Sequence, residues 1–346
     1  MMFKKSFKKI ATGVLAAAVS LSLLTGCGGV NGSSTVLKVD GETVSLGVAN
    51  FMARLTQSQY ETYYGISEDA WKQNVSDDET TYEDSVKKEV MDQLKAMMLE
   101  KEHADEYKVE LTEKDQKAIA KAAKKFMKDN GKEAEEAVTA DQETVEQYLE
   151  LATIKDRVEH AISDTVKKED ITDEEAAQKK MVYVYFAIST TDPQSGAVDT
   201  LTDKEKKQLK KDAEEFAGAA AEAEDFKALA KEKGYEASEA SFDASSTTPD
   251  AALCQAADKL KKGETTDVIE GSSGYYVARL VSTFDKEATE TKKNSLLAQK
   301  QSEAVEKQIK KWKKEADIKV YKKRWAKVRF DKQGVTMKQE AAGTDK

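Results

Sequence analysis

The sequence predicts an α+β protein in which a small sheet-containing module is inserted into a mostly helical chain. The first observation is the run from Met181 to Ser189, where β-branched and aromatic residues alternate between two faces as in a strand. The second is that the sequence on both sides of this module carries apolar residues at steps of three and four among many charged ones, which favours amphipathic helices. The third is composition, since only 2 prolines occur in 346 residues.

The amino terminus has the pattern of an export signal that ends at a lipid-attachment cysteine. Four lysines precede an uncharged stretch over residues 10–24, too short for a comfortable membrane span, and Leu24-Thr25-Gly26-Cys27 follows. This motif resembles the lipobox of bacterial lipoproteins, which implies a diacylglyceryl thioether on Cys27; the alternative is an ordinary cleaved signal with Cys27 as an unmodified thiol. Two fatty acyl chains, such as palmitate, make a durable anchor. We expect residues 1–26 to be a signal peptide, and the mature chain to be lipid-anchored on the extracytoplasmic face of the cell membrane.

Charge and cysteine content limit the classes of partner. Residues 1–26 contain four lysines and no acidic residue, so their removal takes the formal charge from −9 to −13. Such a chain is not expected to bind nucleic acid, or to have an anionic membrane surface as its main partner. With Cys27 lipidated, Cys254 is the only thiol left, and we expect it to be a small buried hydrophobic residue because no basic neighbour in sequence would activate it.

The first part of the mature chain is predicted to form a short tether, a hairpin and four helices. Residues 27–35 are polar and glycine-containing, which favours a flexible tether, and residues 36–44 read as two strand halves around an Asp40-Gly41 turn. Apolar stripes and capping residues then predict helices over residues 45–65, 82–107, 112–130 and 148–166. Each stripe is more simply a core face than a binding groove, so together they predict a helical domain.

The module and the end of the chain are predicted in the same way. Residues 180–285 should contain the Met181 strand and, after a loop with Pro193 and Gly196, helices over 204–221 and 225–233, a strand over 235–242, a helix over 253–262, and a hairpin of 266–269 with 274–280. Residues 286–334 should contribute a helix from Thr289 and a strand at 317–321. The tail, residues 335–346, is predicted to be disordered.

The order of these elements resembles that of the SurA and PrsA foldases. The segments that carry the likeness are the hairpin Val36–Val44, the helix segment Lys88–Leu94, Leu111–Asp115, and Ile171–Glu175 just before the Met181 strand. Leu260–Glu264 with the strand Gly274–Leu280 is similar to the ending of parvulin-type domains. The resemblance implies a chaperone domain built from residues 36–179 and 286–334, with a parvulin-like α+β domain at 180–285 between its two halves.

The same resemblance implies where a site should lie. Parvulins have two histidines beneath the substrate proline ring, and their positions fall here on Tyr185 and Tyr276; the Met and Phe that grip the ring have no counterpart between Phe242 and Leu253. No catalytic residue is therefore assigned. The expected substrate-binding residues are Tyr183, Tyr185, Phe242 and Tyr276, and these aromatic residues either line a groove for unfolded chains or complete a small β-core.

No metal site or cofactor is expected. The two histidines, His103 and His160, lie on charged helices outside the module and are predicted to be solvated, and two isolated histidines do not suffice for a metal centre. No phosphate-binding loop or nucleophile–histidine–acid spacing supports another enzyme class.

The preferred hypothesis is a membrane-anchored extracytoplasmic foldase or chaperone that assists the folding of exported proteins, its parvulin module being weak or inactive as an isomerase. The first alternative is an active peptidyl-prolyl cis–trans isomerase, and the second is a non-catalytic binding or scaffold lipoprotein. Unfolded or newly exported polypeptides are the expected partners, besides the membrane that holds the lipid anchor.

Overall fold

The computed structural model of the 346-residue chain describes residues 22–23, 30–76, 79–191, 195–332 and 335–337. Its mixture of helices and antiparallel sheets confirms the predicted α+β class. Two compact units are present: a helical unit, residues 1–165 with 301–346, and a sheet unit, residues 166–300. Cys27 and most of the predicted signal peptide lie outside the described residues.

The regular elements were assigned in chain order. The strands in the described part of the chain are β1 (Ser22–Leu23), β2 (Thr35–Val39), β3 (Glu42–Ser45), β4 (Lys179–Ala187), β5 (Ser189–Thr191), β6 (Val198–Thr200), β7 (Ala237–Phe242), β8 (Ile269–Glu270), β9 (Gly274–Ser282), β10 (Ile318–Val320) and β11 (Val335–Thr336). The α-helices there are α1 (Leu46–Tyr63), α2 (Tyr82–Glu102), α3 (Glu113–Asp129), α4 (Lys132–Val138), α5 (Gln142–Ser163), α6 (Asp173–Ala176), α7 (Asp203–Glu222), α8 (Phe226–Glu232), α9 (Ala251–Ala257), α10 (Lys286–Glu315) and α11 (Lys322–Trp325). None of the described helices is both long and apolar enough to cross a membrane.

The helical unit joins the two ends of the chain through a three-stranded antiparallel sheet with the order β10-β2-β3. β10 pairs with β2 so that Ile318 faces Val39 and Val320 faces Leu37. The core beneath this sheet combines α1, α2 and α5 with three side chains from the carboxyl-terminal segment, Trp312, Val328 and Phe330. The carboxyl-terminal segment therefore belongs to the core of the first helices.

Local signals set the starts of α1 and α3 where they were predicted, whereas α5 begins at Gln142, before its predicted first residue. The Ser45 hydroxyl accepts from the Val48 amide, and Thr112 with Asp115 forms a capping box at the start of α3. Arg157 on α5 donates to both carboxylate oxygens of Asp115, at 2.7 and 3.0 Å, and so ties α5 to this cap. These hydrogen bonds to the carboxylate hold the pKa of Asp115 far below its usual range.

Four sequence predictions in this unit need correction. The predicted tether is ordered from Val30 onward, because Gly32 and Ser34 carbonyls accept from the first amides of α1. The second helix ends at Glu102, and a separate 3₁₀ turn, Ala104–Tyr107, follows and is closed by Lys108 in a left-handed conformation. Helix α4 was not predicted. Residues 335–337 of the predicted disordered tail are ordered, since β11 pairs with β1 and the Met337 amide donates to Thr62; residues 338–346 lie outside the described part.

The sheet unit is built on a four-stranded antiparallel sheet with the order β7-β4-β9-β8. As predicted, Val182, Val184 and Phe186 share one face of β4, and they pack on α7 and α8. The opposite face carries Met181 and is covered by α9. Helix α9 ends at Ala257, five residues before its predicted last residue. The strands β5 and β6, on either side of the loop that contains Gly196, form a short hairpin that was not predicted.

The sheet unit also extends beyond the predicted boundaries at 180 and 285. Ion pairs Lys293–Asp173 and Lys300–Glu175 hold α6 against the first half of α10, and the Gln178 amide donates to the Thr289 hydroxyl. The Asp285 amide donates to the Gln178 carbonyl at 2.6 Å, so the two points at which the chain enters and leaves the sheet are adjacent.

Candidate functional site

Tyr185 and Tyr276 face each other on the two central strands of the sheet unit. The antiparallel register of β4 and β9 places them directly opposite, and their rings stack with centroids 4.8 Å apart and an angle of 20° between planes. Tyr183, two residues along β4, brings its ring centroid to 6.2 Å from that of Tyr276. The two positions that the sequence assigned to the parvulin histidines are therefore side by side, as a cross-strand pair requires.

Two glycines fix the position of this pair. A Cβ on Gly274 would lie 2.1 Å from the Phe186 carbonyl oxygen and 2.7 Å from the Tyr185 ring, and a Cβ on Gly271 would lie 2.6 Å from the Tyr276 ring. The Tyr185 hydroxyl donates to the Ser273 carbonyl at 2.7 Å, and the Tyr276 hydroxyl lies 3.3 Å from Ser273 Oγ. The loop before β9 thus approaches both rings closely because it lacks side chains at these two points.

The four predicted substrate-binding residues differ in what they expose. Tyr185 is 40% exposed and Tyr183 is partly exposed, whereas Tyr276 is 3% and Phe242 is 0% exposed. Phe242 packs against Met181 and α9, so it presents no surface to a substrate in this conformation. The structure brings Tyr183, Tyr185 and Tyr276 together, but only Tyr183 and Tyr185 form an accessible aromatic ledge.

Asp250 is a neighbour of Tyr276 that the sequence did not single out. It caps α9, and its carboxylate also accepts from the amide and hydroxyl of Ser272. Burial alone would raise the pKa of Asp250, but hydrogen bonds from the Ser272 and Ala252 amides outweigh it and keep the pKa below its ordinary value. The signal in the sequence was a cap residue before an Ala-rich run, which fixes a helix start and does not identify a site.

Cys254 lies in the first turn of α9, and its side chain belongs to the same buried hydrophobic cluster as that of Tyr276 on β9. It is 0% exposed and its sulfur contacts the Thr248 carbonyl at 3.5 Å, which confirms the predicted small buried residue. Burial raises the pKa of the Cys254 thiol, so the sulfur stays protonated and unreactive at neutral pH.

The chemistry that this arrangement offers is hydrogen bonding and aromatic contact. Burial raises the pKa of the Tyr276 phenol, so its hydroxyl is a protonated donor at neutral pH. The Asp250 carboxylate already accepts several hydrogen bonds and is held ionised. Among the described residues, no group of three or more His, Cys, Asp or Glu side chains is placed to hold a metal ion.

Both histidines lie in the helical unit. His160 is exposed and near Asp164, which confirms the predicted solvated position. His103 differs from its prediction: its ring stacks on Trp312, with centroids 4.4 Å apart, and its Nδ1 lies 2.6 Å from Glu106. Trp312 comes from the distant α10, so no local pattern revealed this contact.

Comparison with known proteins found a matching family model for part of the sheet unit and similar relatives for most of the chain. Residues 187–289 match the family model described as a PPIC-type PPIASE domain. The chain is 28% identical to a foldase protein PrsA of Clostridium botulinum strain Langeland and 27% identical to that of strain Okra, each match covering 92% of this chain and 99% of the relative.

Solved structures with some likeness include PrsA of Bacillus cereus, at 19% identity, a TM-score of 0.31, and coverage of 75% of this chain and 97% of that chain. A SurA-like chaperone of Campylobacter jejuni matches at 12% identity, a TM-score of 0.29, and coverage of 83% and 99%. Nearly the whole chain is thus similar to PrsA foldases, and its residues 187–289 are similar to PPIC-type domains.

Proposed function

We propose that this chain is an extracytoplasmic foldase or chaperone for exported polypeptides, tethered through a lipid on Cys27, and that its parvulin-type domain is weak or inactive as an isomerase. The weak or absent isomerase activity is inferred from the stacked Tyr185–Tyr276 pair, which occupies the two parvulin histidine positions. Two phenols stand there in place of two imidazoles, so the hydrogen-bonded histidine pair is lost.

Polypeptide binding is supported by the exposed part of the same pair. Tyr185 and Tyr183 offer flat aromatic surface with polar tips on an otherwise strongly charged molecule, and such rings contact varied chains with little sequence demand. Tyr276 and Phe242 support this ledge from below and are not contact residues themselves.

The isomerase part is tested with a protease-coupled assay on Xaa-Pro peptides. We expect the mature chain to isomerise them little faster than the uncatalysed reaction, which takes tens to hundreds of seconds. The same preparation should suppress aggregation of an unfolded client, since that requires apolar and aromatic surface and no proton chemistry. Isomerase activity in the range of parvulins, lost in Tyr185→Phe, would favour the active-enzyme alternative instead.

The ledge is tested with a matched pair of variants. Tyr185→Ala removes an exposed ring from the ledge, and Phe284→Ala removes a similarly exposed ring, 46% accessible, beyond the opposite end of β9. We expect client binding to weaken several-fold in the first and to stay unchanged in the second, while Tyr185→Phe keeps binding because it keeps the ring. Equal binding by all three variants would show that clients do not use the ledge.

A further inference from the structure

The net negative charge of the chain conceals segments whose charged residues are all basic, among them residues 116–128, 307–314 and 319–329. Between residues 319 and 329 there are six Lys or Arg residues and no Asp or Glu. We call residues 319–329 the basic segment. It contains the end of β10, the helix α11 and the turn that leads to Val328.

All four lysines of the basic segment are solvent-exposed, and Lys319 differs from the other three because its ammonium group lies over the Tyr321 ring. Lys322, Lys323 and Lys327 are exposed and make no ion pair with any described residue. The two arginines are used internally: Arg324 lies over the Tyr321 ring and donates to the Thr35 carbonyl, and Arg329 pairs with Glu83 and Asp331. The lysines are thus held in place by neighbours that are themselves anchored to the core.

The fold places these lysines at one particular end of the β10-β2-β3 sheet. β10 runs antiparallel to β2, the Tyr321 amide donates to the Val36 carbonyl, and Arg324 reaches Thr35, the first residue of β2. The basic segment therefore begins where the amino-terminal chain enters the fold. At the other end of the sheet acidic side chains gather, since the Asp40 carboxylate accepts from the Asp317 amide and Glu42 and Glu102 lie nearby. Lys313 and Lys314, at the end of α10, come just before Asp317 and partly offset this negative charge.

Little chain separates this basic end from Cys27. The described residues resume at Val30, three residues after Cys27, and an extended chain spans at most about 3.6 Å per residue, so Val30 stays within about 11 Å of the Cys27 backbone. A turn then brings the Ser34 amide to the Asn31 carbonyl, which keeps the start of β2 close to Val30. A lipid on Cys27 would hold the basic end, and not the acidic end, next to the headgroups.

We propose that Lys322, Lys323 and Lys327 bind the headgroups of anionic phospholipids, so that the basic end of the helical unit lies on the membrane and its acidic end points away. The orientation toward the membrane rests on the proposed lipid anchor at Cys27. The attraction to anionic headgroups rests on the lysines at one end of the β10-β2-β3 sheet. A basic patch next to one lipid attachment point adds a second, electrostatic attachment to the membrane. The whole-chain charge, which argued against an anionic membrane as main partner, does not describe this surface.

The test uses the mature chain without its lipid, residues 27–346 carrying Cys27→Ser, so that its outcome is independent of acylation and of client binding. Its partition is measured on vesicles of phosphatidylcholine alone and of phosphatidylcholine mixed with phosphatidylglycerol. We expect binding to the mixed vesicles, weakened by added salt, and none to phosphatidylcholine. Replacing Lys322, Lys323 and Lys327 by Gln should weaken it about a hundredfold, since each lysine near an anionic surface contributes about fivefold.

A control variant carries the same loss of charge elsewhere. Lys114, Lys121 and Lys124 are exposed on α3 and are changed to Gln together; this variant should bind as the parent does. Changing the three lysines of the basic segment to Arg should preserve binding, and thermal melts check that all variants are folded. Equal losses in the two Gln variants, equal binding to both kinds of vesicle, or preference for soluble polyglycerol phosphate over vesicles would overturn the proposal.

Discussion

Glu100 is a buried carboxyl group whose protonation affects the stability of the helical unit. It is 0% exposed on α2, and no described residue donates a hydrogen bond to either of its oxygens. Burial and the nearby Glu159 carboxylate raise the pKa of Glu100 from an ordinary value of 4.5 to about 8, while Lys155 acts in the opposite direction. The folded chain thus keeps a proton that the unfolded chain releases, so the free energy of unfolding falls as pH rises from about 4.5 to about 8.

Glu100→Gln should remove this pH dependence, because an amide mimics the protonated carboxyl group. We expect the variant to be more stable than the parent by about 1–3 kcal/mol above pH 8 and nearly equal to it at pH 5. Urea denaturation at both pH values measures the difference. The exposed Glu110→Gln serves as the control and should change neither; a stabilisation of Glu100→Gln that is the same at both pH values would refute the assignment.

Cys27 is the residue on which the proposed location depends. A thioether needs sulfur, so Cys27→Ser in the exporting cell should leave an unlipidated precursor or a released protein. Membrane fractionation and mass spectrometry of the amino-terminal peptide follow the outcome. A Cys27→Ser chain that is still processed and retained like the parent would contradict the proposed anchor.

At the scale of single residues, the sequence could predict those features that depend on residues nearby in the sequence. The Thr112–Asp115 capping box and the alternation along β4 involve residues a few positions apart, and they were predicted correctly. His103 and Phe242 were assigned to solvent and to a binding surface, but Trp312 and α9 cover them from afar. The Tyr185–Tyr276 pairing came from family resemblance, because nothing local to either strand gives their register.

At the scale of elements, the segment Val328–Asp331 is held on α1 and α2 by buried polar contacts. The Glu83 carboxylate accepts from the Phe330 and Asp331 amides, each at 3.1 Å, and Lys87 Nζ donates to the Val328 carbonyl at 2.6 Å. Burial lowers the pKa of Lys87 even though Glu83 favours its charged form. Removing Glu83 would leave two buried amides without their acceptor and the buried Lys87 cation without its carboxylate partner.

We therefore expect Glu83→Ala to lower the free energy of unfolding by about 2–4 kcal/mol. Glu113→Ala is a matched control, because Glu113 is also an acidic residue in the first turn of a helix but is exposed. Its effect should stay within about 0.5 kcal/mol. Chemical denaturation compares the two, and similar losses would show that Glu83 acts only at the helix end.

The predicted boundaries of elements were wrong where hydrogen bonds to residues far away in the sequence order a segment. The predicted flexible tether is ordered because the amino end of α1 offers unpaired amides to Gly32 and Ser34, and residues 335–337 are ordered by pairing and by Thr62. Both segments are polar or short, so their own sequences favour disorder. The local positive charge of the basic segment was missed because total charge was averaged over the whole chain.

At the scale of the whole molecule, the layout predicts that the sheet can be removed. The core residues of the helical unit all come from outside residues 166–300, and Gln178 and Asp285 are joined by a backbone hydrogen bond. Deleting 180–284 and linking Lys179 to Asp285 through two glycines should leave a helical unit that melts cooperatively. Circular dichroism tests this, with the isolated sheet unit melted in parallel. Loss of a cooperative transition in both fragments would contradict the division into two units.

The pairing of β10 with β2 also dictates an order of events when the chain emerges from one end. The Asp317 amide that bonds to Asp40 lies 277 residues later in the chain, and Arg324 lies 289 residues after Thr35. Every residue of the sheet unit has appeared before these partners exist, and domains generally fold as units during synthesis. The helical unit is thus the last part of the molecule to close, and until it does, the newly emerged chain exposes the same kind of unfinished hydrophobic surface that a foldase recognises in its clients.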